Sequence, residues 1–344
     1  MARFLFCLPR YHTNIVPWVR LLQEHGHTVA VHAVTRGATE NYDLLEPKVF
    51  EASALSRRLS RLMAIKGANE PCAFPPAGAY WRTMSLEAPD VVIIRGVTRR
   101  FSRLALACAI AQRRQAVIYD QEDTVPPAWS STSIRRSAFK ALGIPHVTTR
   151  LPKGNQKIHS GAAIPLPFGC PFDASALSDR PSGVANSPPR ILMVAKYRER
   201  KGHRILLSAL AELVPRLDFT LTFCGGVDGA EDEACREMVK SWSATLGLSD
   251  RVSFRDNVAH RDMLSVYRDH DVFVLPSRNE PAAVSPIEAA WAGCCVLVSS
   301  DTGTRGYIPP GTDYEFDSSN PLDLARAIGN AIANQKRLNE ARRH

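Results

Sequence analysis

Two glutamates eight positions apart, Glu280 and Glu288, bracket the stretch Arg278-Asn279-Glu280-Pro281-Ala282-Ala283-Val284-Ser285-Pro286-Ile287-Glu288-Ala289-Ala290. A carboxylate just before a helix start and another in its first turn, beside free backbone amides, can hold a polyhydroxylated, phosphate-bearing ligand. The run Asp271-Val272-Phe273-Val274-Leu275 reads as a strand that stops at Pro276, because proline cannot extend a hydrogen-bond ladder. Ser285 then reads as a helix N-cap, Pro286 as N1 and Glu288 as N3, which is a capping box. Glu288 is therefore either a cap or a ligand-binding group, and the segment alone leaves both open. Glu280 caps nothing obvious and stands at the carboxyl end of a strand, where open α/β sheets bind ligands. The amides of Ala283, Val284 and Ser285 point at the same place.

A second candidate is the strand-to-helix loop Val194-Ala195-Lys196-Tyr197-Arg198-Glu199-Arg200-Lys201-Gly202-His203, which holds four cations. Cations there can neutralise a pyrophosphate and stabilise it as a leaving group, or they are simply solvated loop charges. It is not a Walker loop: G-x-x-x-x-G-K-[ST] occurs nowhere, and no G-x-G-x-x-G follows a strand.

The elements needed to position these loops follow from the hydrophobic pattern. Phe4 to Leu8 reads as a buried strand, Ile15 to His25 as a helix with Val16, Val19 and Leu22 on one face, and Thr28 to Val34 as a strand. Strands at Pro89–Ile94 and Ala116–Tyr119 flank a helix over Leu104–Ala111. Between about Leu166 and Pro189 the pattern lapses into Pro-, Gly- and Ser-rich sequence. Alternation restarts with strand Arg190–Ala195, helix His203–Val214, strand Phe219–Cys224, helix Asp232–Leu246 and strand Arg251–Phe254. It continues with helix Asp262–Arg268, strand 272–275, helix 285–292, strand Cys295–Val298 and a helix from Pro321. This is an α/β chain of two doubly wound domains, 1–170 and 190–344, joined by a linker over 171–189.

Composition bounds the function. The 344 residues are 45% hydrophobic, enough for two ordinary cores, and no run approaches the roughly 20 apolar residues that cross a bilayer. The Arg3–Pro9 start is too short for a signal peptide, so a cytoplasmic protein is expected. Eight cysteines show no C-x-x-C or zinc spacing and read as reduced thiols. Residues 1–185 hold 23 Lys and Arg against 13 Asp and Glu, so the whole excess of the net +9 is N-terminal. A basic face on that domain suits an anionic partner: nucleic acid, acidic headgroups or a phosphate-bearing acceptor. Within it, Leu55-Ser56-Arg57-Arg58-Leu59-Ser60-Arg61-Leu62-Met63 sets leucines at helical spacing apart from arginines, as a solvated surface helix or one lying on a membrane. Arg135-Arg136-Ser137-Ala138-Phe139-Lys140 is a second basic stretch.

Together these residues resemble the retaining glycosyltransferases of family 4, which have the GT-B architecture of two Rossmann-like domains facing a central cleft. Ala195-Lys196 and Glu199-Arg200-Lys201-Gly202 stand where that family has a Gly-Arg strand end and a Pro-Glu-Lys-Gly turn. Glu280 and Glu288 match its E-x7-E motif, and Phe223-Cys224-Gly225-Gly226 resembles its glycine turn. Ser300-Asp301-Thr302-Gly303-Thr304 resembles its Ser-Asp-x-Gly-Gly turn. The resemblance implies a nucleotide-diphospho-sugar donor, with Lys201 and Lys196 on the phosphates, Glu280 on the sugar hydroxyls and Glu288 on the ribose. It also implies donor contacts from Gly225, Gly226 and the Ala283, Val284 and Ser285 amides, and places Val258 at the base.

Two departures stand out. Glu280-Pro281-Ala282-Ala283 replaces the family's Glu-Gly-Phe-Gly, leaving the backbone less freedom to approach a ligand. Arg95-Gly96 stands where members often carry a histidine. The acceptor side is therefore read from the residues: Arg10, His12 and Asn14 after the first strand, Arg95, and Asp120 opening Asp120-Gln121-Glu122-Asp123. His12 is either catalytic or an ordinary loop histidine, and Asp120 either binds acceptor hydroxyls or begins a loop. Asp269-His270-Asp271 is formally a D-x-D triplet, but no metal or cofactor is expected, since lysines and helix dipoles take the metal's role in GT-B enzymes.

The expected partners are the donor, a glycan or polyprenyl-phosphate-linked acceptor, and an anionic membrane on the inner face of the plasma membrane, as in cell-surface polysaccharide assembly. Two other readings compete: a GT-B sugar-nucleotide epimerase, or a non-catalytic binder of nucleotide-sugars or nucleic acid. No aromatic-basic interleaving supports a nucleic-acid partner.

Overall fold

The computed structural model describes residues 1–62, 73–121, 131–151, 163–173, 188–307 and 315–333. The chain divides into two units, Met1–Gly169 and Cys170–His344, each built on one parallel sheet. Residues 174–187 of the expected linker lie outside the described residues, as do Met63, Glu122 and Asp123.

The first unit contains β1 (Arg3–Arg10), β2 (Thr28–Thr35), β3 (Lys48–Val49), β4 (Val91–Arg95), β5 (Gln115–Asp120), β6 (His146–Thr148) and β7 (Ile164–Pro165). They lie in the order β3-β2-β1-β4-β5-β6-β7. Its helices are α1 (Val16–Glu24), α2 (Ala54–Leu62), α3 (Ala77–Glu87), α4 (Arg100–Ala111) and α5 (Ser131–Ala141). Leu5, Cys7, Val92 and Ile94 from the central strands pack with Phe101 and Ala105 of α4. Such strands read as apolar runs because helices cover both faces of a parallel sheet. Helix α4 begins four residues before the sequence places it, after the extended Arg99. Cationic side chains there carry no apolar period and hide the start.

The second unit contains β8 (Arg190–Val194), β9 (Thr220–Gly225), β10 (Val252–Asp256), β11 (Val272–Leu275), β12 (Cys295–Ser299) and β13 (Glu315–Phe316), ordered β10-β9-β8-β11-β12-β13. Helices α6 (His203–Leu213), α7 (Ala230–Thr245), α8 (Met263–Arg268), α9 (Ser285–Trp291) and α10 (Pro321–Ala333) connect and cover it. Alternate residues enter opposite cores. Ile191, Met193, Leu221 and Val274 join Leu206 and Leu210 on one side, while Leu192, Phe273 and Leu275 join Ala289 and Tyr267 on the other. Burial of each such side chain contributes about 1.5–3 kcal/mol.

Both sheets reverse strand order once, between β1 and β4 in the first unit and between β8 and β11 in the second. Loops leaving the carboxyl ends of two such adjacent strands diverge and open a crevice, where open α/β sheets bind ligands. The Lys196–Lys201 and Glu280 loops leave β8 and β11, and the His12 and Arg95 segments leave β1 and β4.

Two sequence features take structural roles. Asp271 accepts hydrogen bonds from the Arg190 amide at 3.0 Å and its Nε at 3.2 Å, tying β11 to β8. His270 is buried, with Nε2 2.8 Å from Thr222 Oγ1. In α2 the buried positions are Ser56 and Ser60, one turn apart, while Leu55 and Leu62 are exposed. In α5 Arg136 is only 5% exposed, so that stretch is not a uniformly solvated basic face. No described helix is long and apolar enough to cross a membrane.

Candidate active site

Glu280 and the Arg198–Gly202 loop are joined by backbone as well as by charge. A 3-10 turn over Glu199–Lys201 ends at Gly202, whose φ of +81° is left-handed. A Cβ there would lie 2.3 Å from the Pro276 carbonyl oxygen, so the turn passes directly against the end of β11. One residue beyond Ser277, the Arg278 amide donates to the Arg200 carbonyl at 2.8 Å. Glu280 is held from its other flank: it bridges to Thr302, and the Gly303 amide donates to its carbonyl at 2.7 Å.

These contacts bring Arg200, Lys201 and Glu280 together. Arg200 Nη1 donates to Glu280 Oε2 at 2.8 Å, and Lys201 Nζ donates to the same oxygen. Glu280 is 6% exposed, and Lys201 retains 14% of its side-chain exposure. Burial pushes the Lys201 pKa below the ordinary lysine value, although Glu280 opposes that shift by favouring the cation. Removing Glu280 would strand the enclosed Lys201 cation, at a cost of about 3–5 kcal/mol, whereas Glu280 itself has Arg200 as a second partner. Oε1 of Glu280 accepts no hydrogen bond from the described residues, so it retains its capacity for a ligand hydroxyl.

Lys196 points elsewhere. Its Nζ pairs with Asp228, and both side chains are about two-fifths exposed. Gly226 lies beside it, where an added Cβ would come 3.7 Å from the Lys196 chain. Gly225 is sterically fixed, since a Cβ would stand 2.6 Å from the Ala195 carbonyl oxygen. Asn257, at a positive φ of 52°, ties this turn to the next by accepting the Val227 amide at 2.8 Å. Val258, immediately after it, packs against the core.

The capping box does not form. Ser285 Oγ donates to the Val194 carbonyl at 3.2 Å, joining α9 to the end of β8. The Glu288 carboxylate turns into the unit instead: Tyr267 Oη donates to Oε2 at 2.7 Å, and His260 Nε2 lies 2.8 Å from Oε1. His260 is itself stacked on Phe172, ring centroids 5.4 Å apart. A tertiary hydrogen-bond network thus outcompetes the local cap. The Ala283, Val284 and Ser285 amides, at the entry to α9, have no acceptor among the described residues.

In the first unit, Arg10, His12, Arg95 and Asp120 line one cavity of about 260 Å3 at the carboxyl ends of β1, β4 and β5. Asn14 is not among its lining residues. His12 Nδ1 is 3.4 Å from Glu40 Oε1, and burial lowers its pKa against the pull of that carboxylate. Glu40 also accepts from the Thr13 amide at 2.7 Å and its hydroxyl at 2.6 Å. Burial raises the Glu40 pKa, but the His12 and Thr13 contacts outweigh it and hold the carboxyl at about 2. Asp120 is hydrogen-bonded to His146 Nε2 at 2.6 Å. Sequence reasoning misses Arg200, His260, Tyr267, Asp228 and Glu40 as members of these groups. Only Arg200, next to Lys201, carries a local signal; the rest meet their partners across 21 to 32 positions.

Residues 176–344, just under half of the chain, match the family model described as Glycosyl transferases group 1. The lipopolysaccharide core biosynthesis mannosyltransferase LpcC of Rhizobium leguminosarum is 29% identical over 247 residues, 70% of this chain and 64% of that protein. D-inositol 3-phosphate glycosyltransferase of Corynebacterium jeikeium is 28% identical over 163 residues, 46% of this chain and 39% of that enzyme. The chain thus covers less than two thirds of the length of either relative. The crystal structure of Anabaena Alr3699/HepE in complex with UDP and glucose superposes with a TM-score of 0.72 at 17% identity, covering 99% of this chain and 93% of that one. The expected α/β, GT-B class of fold is therefore the fold of this protein.

Proposed function

We propose that the protein is a retaining glycosyltransferase that moves a sugar from a nucleotide-diphospho-sugar to an acceptor hydroxyl in the assembly of a cell-surface glycan. The observation that carries this reading is the buried Lys201–Glu280 pair at the strand reversal of the second unit, with Arg200 beside it and Glu280 Oε1 open. As the glycosidic bond breaks, negative charge grows on the pyrophosphate, and Lys201 stabilises it more in the transition state than in the ground state. Glu280 accepts from the sugar hydroxyls, and the amides at the entry to α9 face the phosphates. Retention of configuration rests on the family 4 resemblance. A sugar donor is also in keeping with the names of the relatives and with the UDP and glucose bound to the Anabaena protein.

A thermal-shift series with UDP-, GDP-, ADP- and dTDP-sugars tests the donor. At a hundredfold excess over Kd, binding adds about 2.7 kcal/mol, a rise on the order of 5–10 °C for a unit of this size. The preferred donor should then label an acceptor with the anomeric configuration kept. Conversion of donor alone to an epimer, or no shift with any of the four, sinks the proposal.

The acceptor is proposed to lie at an anionic membrane surface. Exposed Leu55 and Leu62 beside exposed Arg57, Arg58 and Arg61 on α2 support this. The partition coefficient onto phosphatidylglycerol vesicles, read by cosedimentation, should fall about a hundredfold, at roughly 1 kcal/mol per charge, when the three arginines become glutamine. Unchanged cosedimentation counts against it.

A further inference from the structure

The described residues lining the cavity at the strand reversal of the first unit carry more positive than negative charge. Arg10, Arg95 and Arg99 all line it. Arg10 is the most enclosed, with 11% side-chain exposure, and its Nε is buried with no hydrogen-bond partner among the described residues. Among the described residues the carboxylate oxygen paired with it, Glu40 Oε1, is 3.9 Å from Nη2, outside hydrogen-bonding distance. Glu40 is committed to Thr13 and His12. Gly37 makes room for the guanidinium: a Cβ there would come 2.9 Å from Arg10 Nη2. Arg95 lies over the Tyr119 ring, 6.0 Å from its centroid, and meets no carboxylate among the described residues. Asp120, the one carboxylate among the described residues lining the cavity, is bonded to His146. Arg99 is exposed and immediately precedes α4, whose first-turn amides have no side-chain cap.

We propose that this cavity binds an oxyanion, a phosphate ester or a carboxylate, carried by the acceptor, with Arg10 and Arg95 as its principal ligands and Arg99 at its mouth. An enclosed guanidinium with an unsatisfied N–H is costly in the free protein, and a two-oxygen anion satisfies it through paired N–H donors. Lysine would supply charge without that planar fork. Position agrees with chemistry, because the cavity opens where β1 and β4 diverge. The assignment of the oxyanion to the acceptor rests on the glycosyltransferase reading; the anion site itself rests on the first unit alone.

Titration of the full chain by ligand-observed NMR with a glucose phosphate, glucuronate and glucose decides the matter. At least one charged probe should bind in clear preference to glucose, and comparison of the two identifies the oxyanion. Arg10→Lys and Arg95→Gln should each weaken that probe by about ten- to a hundredfold, the range of one charge-assisted bond. Arg99→Gln, at an exposed position where misfolding is not a concern, should weaken it several-fold. Arg326→Gln, at an exposed position on α10 outside both groups, should leave it unchanged. No preference for either charged probe over glucose overturns the proposal. So does binding that survives all three arginine substitutions in the cavity. Nucleotide-sugar stabilisation in the arginine variants is read separately. If it persists while oxyanion binding is absent in the wild type, the anion site fails and the glycosyltransferase reading stands.

Discussion

Lys201→Met is expected to lower kcat by two to three orders of magnitude, the range for removing one preorganised group aimed at developing charge. Methionine keeps an unbranched chain of similar reach in this nearly enclosed position, so packing changes little. Glu280 is not stranded by the change, because Arg200 Nη1 remains 2.8 Å from the same oxygen. The variant should therefore fold and still gain thermal stability from its nucleotide-sugar, while turnover is lost. Burial lowers the Lys201 pKa, so the required cation loses its proton at a pH below that of an exposed lysine. The alkaline limb of the wild-type kcat profile should start correspondingly early. A kcat within tenfold of wild type, with donor binding intact, would remove Lys201 from the mechanism.

Gly202→Ala is expected to destabilise the second unit by about 2–4 kcal/mol, from left-handed strain and backbone overlap together. The strain alone is on the order of 1 kcal/mol, and the new Cβ would stand 2.3 Å from the Pro276 carbonyl oxygen and 3.0 Å from its carbon. Neither is the end of a flexible side chain, so relief requires β11's exit and the Lys201 turn to move apart. That motion also separates Lys201 from Glu280, and turnover should fall with stability. Gly247→Ala supplies the control: its φ is +67°, but nothing lies within 4 Å of the added Cβ. Circular-dichroism melting should show a drop of about 5–15 °C for Gly202→Ala and a clearly smaller one for Gly247→Ala. Equal drops would mean that the Pro276 contact contributes nothing.

The two sheets were legible because buried parallel strands are written as uninterrupted apolar runs, as in Val272-Phe273-Val274-Leu275 and Phe4-Leu5-Phe6-Cys7-Leu8. Short edge strands such as Lys48–Val49 and Ile164–Pro165 were not, since two residues carry no period. The site divided the same way. Glu280 and Lys201 stand in loops fixed by strand ends, and strand ends can be read from hydrophobicity. The partner of Glu288 could not be read: a local capping pattern was present, yet Tyr267 and His260 took the carboxylate. Glu40 lies outside any element and reaches Thr13 and His12 only after β1 and β2 have paired.

The loop carrying Glu280 is fastened at Arg278 and again at Glu280, and Ala282 and Ala283 between Glu280 and α9 are buried. Its freedom is surrendered once, during folding, and need not be surrendered again when a ligand arrives. On the proposed reading, a loop fixed in this way would select donors by shape, rejecting a sugar whose hydroxyl points away from Glu280.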